Sequence, residues 1–280
     1  MLRGFYTAAT GMIAQQRRTE MLTNNMSNAS TPGYKADQSS VRAFPEMLLS
    51  QMNKETIPTT NGLTLSANNV VGYLNTGVYM QETVSAFTQG GLEETGNPTD
   101  IALIDIAMPV NEENGQNGSV FFSVGRENGE IAYMRNGNFT IDHQGSLTTP
   151  NGNYVLDMNG NPIRVNSEDF AVNGAGEVLV NGEVIAQLGI AYAENPSALL
   201  KGADGFYSVD GGGNLPLVAD VADPGLQFSL QQGVIESSNV DTGRTMTDML
   251  AAYRSFEANQ KVLQAYDKSL EKAVNEIGRV

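Results

Sequence analysis

The 280-residue sequence contains no cysteine and no tryptophan, and it has a single histidine. Without cysteine the chain has no disulfides, thiol nucleophiles or thiolate metal ligands. The histidine, His143, lies between Asp142 and Gln144 just before a glycine, which predicts a solvated turn residue and not a catalytic base. The sequence also lacks a phosphate-binding loop, a dinucleotide fingerprint and an arguable carboxylate pair. We therefore predict a non-enzymatic protein that uses no cofactor and no metal.

Long hydrophobic runs are also missing. No stretch approaches the roughly 18 apolar residues of a membrane span, and the first residues lack the apolar segment and cleavage site of a signal peptide. We expect no direct membrane insertion and no cleavable signal. The formal charge is −15; residues 1–35 carry +3 and residues 244–280 carry +1, which leaves −19 in the middle of the chain. This acidic middle disfavours binding to nucleic acid or to an anionic membrane.

Residues 244–277 form the clearest predicted helix. Steps of three and four residues define an apolar seam near a period of 3.5, interrupted only by one asparagine. A weaker seam runs through an N-terminal helix, at Leu2, Phe5, Ala9 and Met12, and becomes polar after Gln16. We predict that the two termini pair as a coiled coil; the alternative is that the second helix packs on its own domain. The seam of the second helix consists of Met249, Ala252, Phe256, Asn259, Leu263, Tyr266, Leu270, Ala273 and Ile277.

The middle of the chain is rich in Asn-Gly dipeptides that alternate with short apolar runs such as SVFFSV and EVLV. Asn-Gly accepts the two positive φ angles of a type I′ hairpin turn, so this pattern predicts an antiparallel β domain, at residues 101–240. Residues 36–100 are more polar, and we expect an extended arm with short strands near 78–87. The prediction is an α+β chain with helical segments 1–35 and 241–280 around the β domain.

The stretch NNMSNASTPGYK, residues 24–35, ends the first helix. Pro32 disfavours helical backbone at the residue before it, and Gly33 supplies the positive φ of a type II turn that closes at Tyr34. Asn24, Asn25 and Asn28 cluster on one side of the helix. Two interpretations remain open for these asparagines: a fraying, solvated helix end or a buried polar contact.

One segment imitates a calcium-binding loop. Asp157, Asn159 and Asn161 have the spacing of calcium ligands, with Glu168 at the twelfth position. The sixth position is Pro162, where the loop requires glycine, and the flanks favour strands over helices. We predict a hairpin turn at Asn159-Gly160 and no calcium site.

Several stretches together resemble the rod and hook family of bacterial flagellar axial proteins. The first, NNMSNASTPGYK, is similar to that family's N-terminal signature. The chain departs from the family pattern at an insertion around residues 107–118. The other matching stretches are QGGLEETGNPTDIAL at 89–103, MRNGNFTIDHQGSLTTPNGNYVL at 134–156, QQGVIESSNVD at 231–241 and MTDMLAAYRSFEANQKVLQAYDKSLEKAVNEIG at 246–278.

The resemblance implies a structural subunit of the flagellar basal-body rod that transmits torque for motility. Its partners would be copies of itself, other flagellar rod and hook proteins and the flagellar type III export apparatus. A hook or hook-cap-like subunit is the alternative within the class, and a secreted glycan-binding or glycan-cleaving β protein is the alternative outside it. The residues expected at subunit contacts are Asn24, Asn25, Asn28, Pro32, Gly33, Tyr34, Met249, Phe256, Asn259, Leu263, Tyr266, Leu270 and Ile277.

Helix seams without partners leave apolar surface in water. Before assembly we therefore expect largely disordered termini and a protease-resistant core near residues 36–240.

Overall fold

The computed structural model of the protein describes residues 2–57, 63–111, 115–126, 129–167, 169–202, 204–221 and 223–277, with their side chains except at 2, 49–57, 63–71, 276 and 277. Within these residues, one long helix precedes the strands and a second long helix follows them. The helices are α1 Leu2–Ser27 and α2 Thr242–Lys272, and α2 continues as a π-helical turn, Ala273–Ile277. The strands are β1 Asp37–Ala43, β2 Met47–Ile57, β3 Leu63–Leu74, β4 Val78–Ser85, β5 Leu92–Glu94, β6 Ile101–Ala107, β7 Ser119–Gly125, β8 Ile131–Met134, β9 Thr140–Ile141, β10 Leu147–Thr148, β11 Tyr154–Val155, β12 Phe170–Val172, β13 Glu177–Val180, β14 Glu183–Gln187, β15 Ile190–Ala193, β16 Leu200–Lys201, β17 Tyr207–Ser208, β18 Gln227–Gln232 and β19 Val234–Glu236.

The chain folds into two compact units, and each is discontinuous in sequence. The helical unit contains residues 1–24, 38–83 and 243–280, and the β unit contains residues 25–37 and 84–242. The chain therefore passes from one unit to the other four times, after residues 24, 37, 83 and 242. The segments predicted from the sequence, 1–35, 36–100, 101–240 and 241–280, instead follow one another along the chain.

In the helical unit, α1 and α2 lie against each other in opposite directions. The pairing is close because two α1 glycines face α2 side chains: a side chain at Gly4 would collide with the Tyr266 hydroxyl, and one at Gly11 would lie 3.0 Å from Asn259 Nδ2. Further along, Thr23 Oγ1 lies 3.7 Å from Met249 Sδ.

The seam read from the sequence is the covered face of α2. Its members from Met249 to Ala273 are buried or half-buried, and every other residue from 250 to 275 is exposed. The side chain of Ile277 lies outside those that the structure describes. On an exposed face of α2, Glu257 and Lys261 form an ion pair of 3.0 Å with the favourable i,i+4 order.

The predicted arm contains more strand than expected. The short strands expected near 78–87 correspond to β4, which pairs with β1. In addition, β2 and β3 form a long antiparallel hairpin that the sequence did not predict. It pairs from Met47–Leu74 to Ile57–Leu63, with a register shift between Leu49 and Ser50. Its strands lack the regular alternation of apolar and polar residues that identifies a half-buried strand.

The β unit is antiparallel, as predicted. Its largest sheet has eight strands in the order β16-β17-β8-β7-β11-β10-β9, with β15 also pairing with β7. The remaining strands form a three-stranded sheet, β12-β13-β14, and the pairs β18-β6 and β19-β5. The main apolar core includes Ile101, Phe122, Phe139 and Leu230, and the rings of Phe122 and Phe139 meet edge to face at 5.1 Å.

The turns differ from the prediction. Among the described Asn-Gly pairs, both residues have positive φ only at Asn181-Gly182, at 53° and 84°, as a type I′ turn requires. At Asn151-Gly152 and Asn159-Gly160 the glycine alone has positive φ, because the preceding Thr149 and Asp157 close longer turns.

The calcium-like segment is such a turn. Asp157 Oδ1 accepts hydrogen bonds from the amides of Asn159 and Asn161, at 2.8 Å each, so this oxygen caps the turn. Glu168 lies outside the described residues. Within the part of the chain that the structure describes, no group of three or more acidic or histidine side chains could hold a metal ion.

Candidate functional site

Three segments of the β unit adjoin the four points at which the chain passes between units: residues 25–37, 84–90 and 236–242. We call them together the collar. They are far apart in sequence, yet hydrogen bonds and ion pairs connect them to one another. The collar contains much of the NNMSNASTPGYK stretch, so its geometry bears on the two interpretations of the asparagines.

Asn25 makes a buried polar contact, and the residue is only 4% exposed. Its amide pairs with the backbone of Asp37, donating to the carbonyl at 2.8 Å and accepting from the N–H at 2.9 Å. The Tyr34 hydroxyl donates to the same Asn25 oxygen at 3.1 Å. Asn25 therefore fixes the start of the first collar segment, residues 25–37, to the end of that segment.

The predicted turn is confirmed between Thr31 and Tyr34. The Tyr34 amide donates to the Thr31 carbonyl at 3.3 Å, and Gly33 has φ of 67°. The Gly33 amide donates to the Glu236 carbonyl at 2.7 Å. A Cβ at Gly33 would lie 2.5 Å from the Asn136 nitrogen and 2.6 Å from the Arg135 carbonyl carbon. The turn therefore fits between two backbone segments with no room for a side chain.

The charged centre of the collar is Glu236. Its Oε1 lies 2.7 Å from Lys35 Nζ, and its Oε2 lies 2.7 Å from Arg135 Nε. Arg135 also pairs with Asp105 at 2.9 Å. The side chains of Lys35, Glu236 and Arg135 are at most 1% exposed. Each of them has further polar partners; the Gly90 amide, for example, donates to Glu236 at 2.8 Å.

Burial alone would raise the pKa of Glu236, because a carboxylate loses its hydration. The charges of Arg135 and Lys35 and their hydrogen bonds outweigh this effect and hold the pKa of Glu236 below its ordinary 4.5. Glu236 is thus ionised at neutral pH. Removing one partner of such a group costs about 3–5 kcal/mol, since an uncompensated buried charge remains.

A second ion pair lies beside the turn. Lys201 Nζ is 2.9 Å from Asp37 Oδ1 and 3.9 Å from the centre of the Tyr34 ring. Ser85 donates to the same Asp37 oxygen at 2.7 Å. Burial raises the pKa of Tyr34, so its hydroxyl stays protonated and continues to donate to Asn25.

Asn239 connects all three collar segments. Its oxygen accepts from the Ala36 amide at 2.7 Å, and its Nδ2 donates to the Ala86 carbonyl at 2.8 Å and to Thr88 Oγ1 at 3.0 Å. The Ala86 amide in turn donates to the Ala36 carbonyl at 2.8 Å.

The predicted contact residues divide between the two units. Asn25, Pro32, Gly33 and Tyr34 lie in the collar, whereas the α2 seam lies in the helical unit. Asn24 is exposed near the end of α1, and Asn28 is half-buried, its oxygen accepting from Thr31 Oγ1 at 3.3 Å.

The charged and amide partners of the turn were not predicted from the sequence. Lys35, Arg135, Glu236 and Asn239 each fall inside one of the stretches that carry the family resemblance, which is the one signal that pointed to them. His143, the predicted solvated histidine, is exposed. Among the described residues, no helix has the length and apolar character needed to cross a membrane.

Comparison with known proteins gives three matching family models. They are a flagella basal body rod protein model at residues 5–35, the D1 domain of the flagellar hook protein FlgE/F/G at 117–180, and the C-terminal model of the flagellar basal body rod proteins FlgEFG at 231–276. The flagellar hook-basal body complex protein FlhO of Bacillus subtilis (strain 168) is 46% identical to this chain over the full length of both. The chain belongs to the flagellar basal-body rod protein family.

Flagellar basal-body rod proteins named FlgG are also similar over nearly the whole chain. The protein from Agrobacterium fabrum is 29% identical over 95% of this chain and 96% of its own length, and the one from Bacillus subtilis (strain 168) is 26% identical over 98% and 99%. This rod protein is accordingly a structural component of the flagellar basal body. The first and last matched segments include Lys35 and Glu236, the two ends of the buried ion pair.

Proposed function

We propose that this rod protein assembles helically, with copies of itself and related axial proteins, into the drive shaft of the flagellum that transmits torque for motility. One observation on this chain supports a subunit that withstands load: three segments of the β unit that lie far apart in sequence are bonded to one another in the collar. Pulling one of these segments out of the β unit requires breaking its bonds to the others.

The bonds of the collar suit this role. The Lys35–Glu236–Arg135 group is out of water, so salt screens it little. Its short, buried ion pairs and hydrogen bonds hold Lys35, Arg135 and Glu236 to one another.

We propose further that α1 and α2 form an antiparallel coiled coil whose outer surface contacts neighbouring subunits. The contacts of Gly4 with Tyr266 and of Gly11 with Asn259 support the pairing within one chain. The seam residues Phe256, Leu263 and Leu270 are only half-buried, which leaves apolar surface for other helices. Asn24 and Asn28 belong to the proposed subunit contacts, whereas Asn25 supports assembly through Asp37.

In this proposal the protein leaves the cell interior through the flagellar type III export apparatus, as the family resemblance implies. Its role is packing and not catalysis. The absence of cysteine is compatible with such a route, because no disulfide has to form or open during transport.

The experiment is to locate an epitope-tagged copy in purified hook-basal bodies by immunogold microscopy. We expect the label on the rod, below the hook, with flagellation intact. A label on the hook would favour the alternative of a hook-type subunit, and a protein confined to the cytoplasm of flagellated cells would rule out an axial role.

A further inference from the structure

The N-terminal collar segment is bound by residues that lie about two hundred positions later. The Gly33 amide donates to the Glu236 carbonyl, Lys35 pairs with the Glu236 carboxylate, and the Ala36 amide donates to Asn239. The fourth interaction is a backbone one: the main-chain N–H of Asn239 donates to the Tyr34 carbonyl at 3.4 Å. Residues 33–36 and 236–239 thus run beside each other and share four interactions.

The apolar core of the β unit does not use this segment. The buried members of its two hydrophobic clusters all lie between Ile101 and Leu230, so neither residues 25–37 nor Glu236 contribute to them. The sheets can therefore pack before the N-terminal segment is in place, and its position depends on polar and ionic contacts.

Glu236 is the group that compensates the buried charge of Lys35 when residues 25–37 are in place. Burial and the nearby positive charge of Arg135 both lower the pKa of Lys35, and the carboxylate of Glu236 opposes them. Asp105 can still neutralise Arg135 at 2.9 Å when Glu236 is absent. Lys35 would then be a buried cation without a directly bonded carboxylate, facing a second cation.

We infer that Glu236 is a completion lock: residues 25–37 take their place in the β unit only when the chain through Asn239 is present and folded. An incomplete chain would hold a packed core while its N-terminal segment stays free. This inference goes beyond the proposed function and rests on the collar contacts alone, so it can be tested on the purified monomer.

The test is amide hydrogen exchange on the full chain and on Glu236→Gln. This substitution keeps the shape of the side chain and removes its charge. In Glu236→Gln we expect exchange at Gly33, Ala36 and Asp37 to rise by at least about tenfold, because the segment leaves its place, while the Ser123 amide in the central strand β7 changes less than about threefold. Glu94→Gln, an exposed change on the neighbouring strand β5, is the matched control and should leave both regions unchanged.

A second variant separates the lock from general stability. Adding Lys35→Met to Glu236→Gln removes the buried cation that has lost its carboxylate partner. The exchange rates at Ala36 and Asp37 should then return to within about threefold of those of the parent chain. Unchanged exchange in Glu236→Gln, equal loss in β7, or failure of the double variant to restore protection would each overturn the inference.

The order of events can be measured directly by pulse-labelling during refolding of the unaltered chain. The amides of Gly33 and Ala36 should become protected no earlier than those of the β19 strand, Val234–Glu236. Protection of residues 33–37 ahead of β19 would show that the segment folds without its lock.

Discussion

Asn239 accepts a hydrogen bond of 2.7 Å from the backbone amide of Ala36, a residue 203 positions earlier in the chain. The same side chain donates to the Ala86 carbonyl. One amide group therefore serves three segments that enter or leave the β unit at different points. Such a group cannot be replaced by a hydrophobic side chain, because two backbone polar groups would lose their partners.

Replacing this side chain should weaken the β unit measurably. We expect Asn239→Ala to lower the free energy of unfolding by about 1 kcal/mol, the typical net contribution of an intramolecular hydrogen bond, because the partly buried backbone groups of Ala36 and Ala86 lose their partner. Urea denaturation of the monomer, followed by circular dichroism, measures the loss. Asn195→Ala is the control, since Asn195 is exposed and makes no capping bond with its side chain. Equal stability of the two variants would contradict the role of Asn239.

The Gly33 position offers a test of the close backbone approach. A left-handed residue with a side chain costs about 1–2 kcal/mol by itself. Gly212→Ala measures this cost alone, since Gly212 has φ of 80° and open space around it. We expect Gly33→Ala to be more destabilising than this control by about 1–3 kcal/mol, because its methyl group would press on the backbone of Arg135 and Asn136. A similar loss of stability in Gly33→Ala and Gly212→Ala would mean that the backbone of Arg135 and Asn136 leaves room for a side chain at Gly33.

The ionisation of Glu236 predicts a pH dependence. A carboxyl whose folded-state pKa is lowered contributes its full stability above the ordinary 4.5 and loses it as the pH falls toward the lowered value, because the unfolded chain takes up the proton first. The stability advantage of the parent chain over Glu236→Gln should therefore be fully present just above 4.5 and should shrink as the pH falls below it. Chemical denaturation over a pH series measures this, and a difference independent of pH would contradict the assignment.

In the helical unit, the half-buried Leu263 tests the assembly surface. Burying such a side chain contributes about 1.5–3 kcal/mol, and an aspartate would forfeit this in every subunit of the rod. We expect Leu263→Asp to abolish rod assembly and motility while the β unit melts at an unchanged temperature. Gln264→Asp, one position away on the exposed face, should swim normally. A motile Leu263→Asp strain would refute the buried seam.

Limited proteolysis distinguishes the observed β unit from the core expected from the sequence. The collar holds residues 25–37 against Glu236 and Asn239, so the resistant species should contain residues from about 25, not 36. After cleavage within 38–83, a peptide carrying residues 25–37 should remain bound to the 84–242 fragment during gel filtration. Its release would show that the collar does not hold without the intact chain.

The features that the sequence predicted correctly depend on local pattern. The α2 seam follows from a 3.5-residue period, and the turn at Thr31-Pro32-Gly33-Tyr34 follows from the backbone limits of proline and glycine. The terminal helices followed from the helical periodicity of the two ends, and the central antiparallel strands followed from short apolar runs between turn residues.

The features that it missed depend on distant partners or on competition. Lys35 and Glu236 carry no signal that they pair across 201 positions. The Asn-Gly turns at 151 and 159 took another form because Thr149 and Asp157 compete for the backbone amides that follow them. The hairpin of β2 and β3 was missed because its residues lack a clear period-two pattern.

Residues 38–83 leave the β unit and return to it at a closed base, where Ser85 donates to Asp37 at 2.7 Å and the Ala86 amide donates to the Ala36 carbonyl. Once the two ends of an excursion are joined, doubling its length costs only about 0.6 kcal/mol of closure entropy. The length of the stretch therefore has little effect on the stability of the β unit itself, and a longer or shorter hairpin of β2 and β3 should leave the β unit folded.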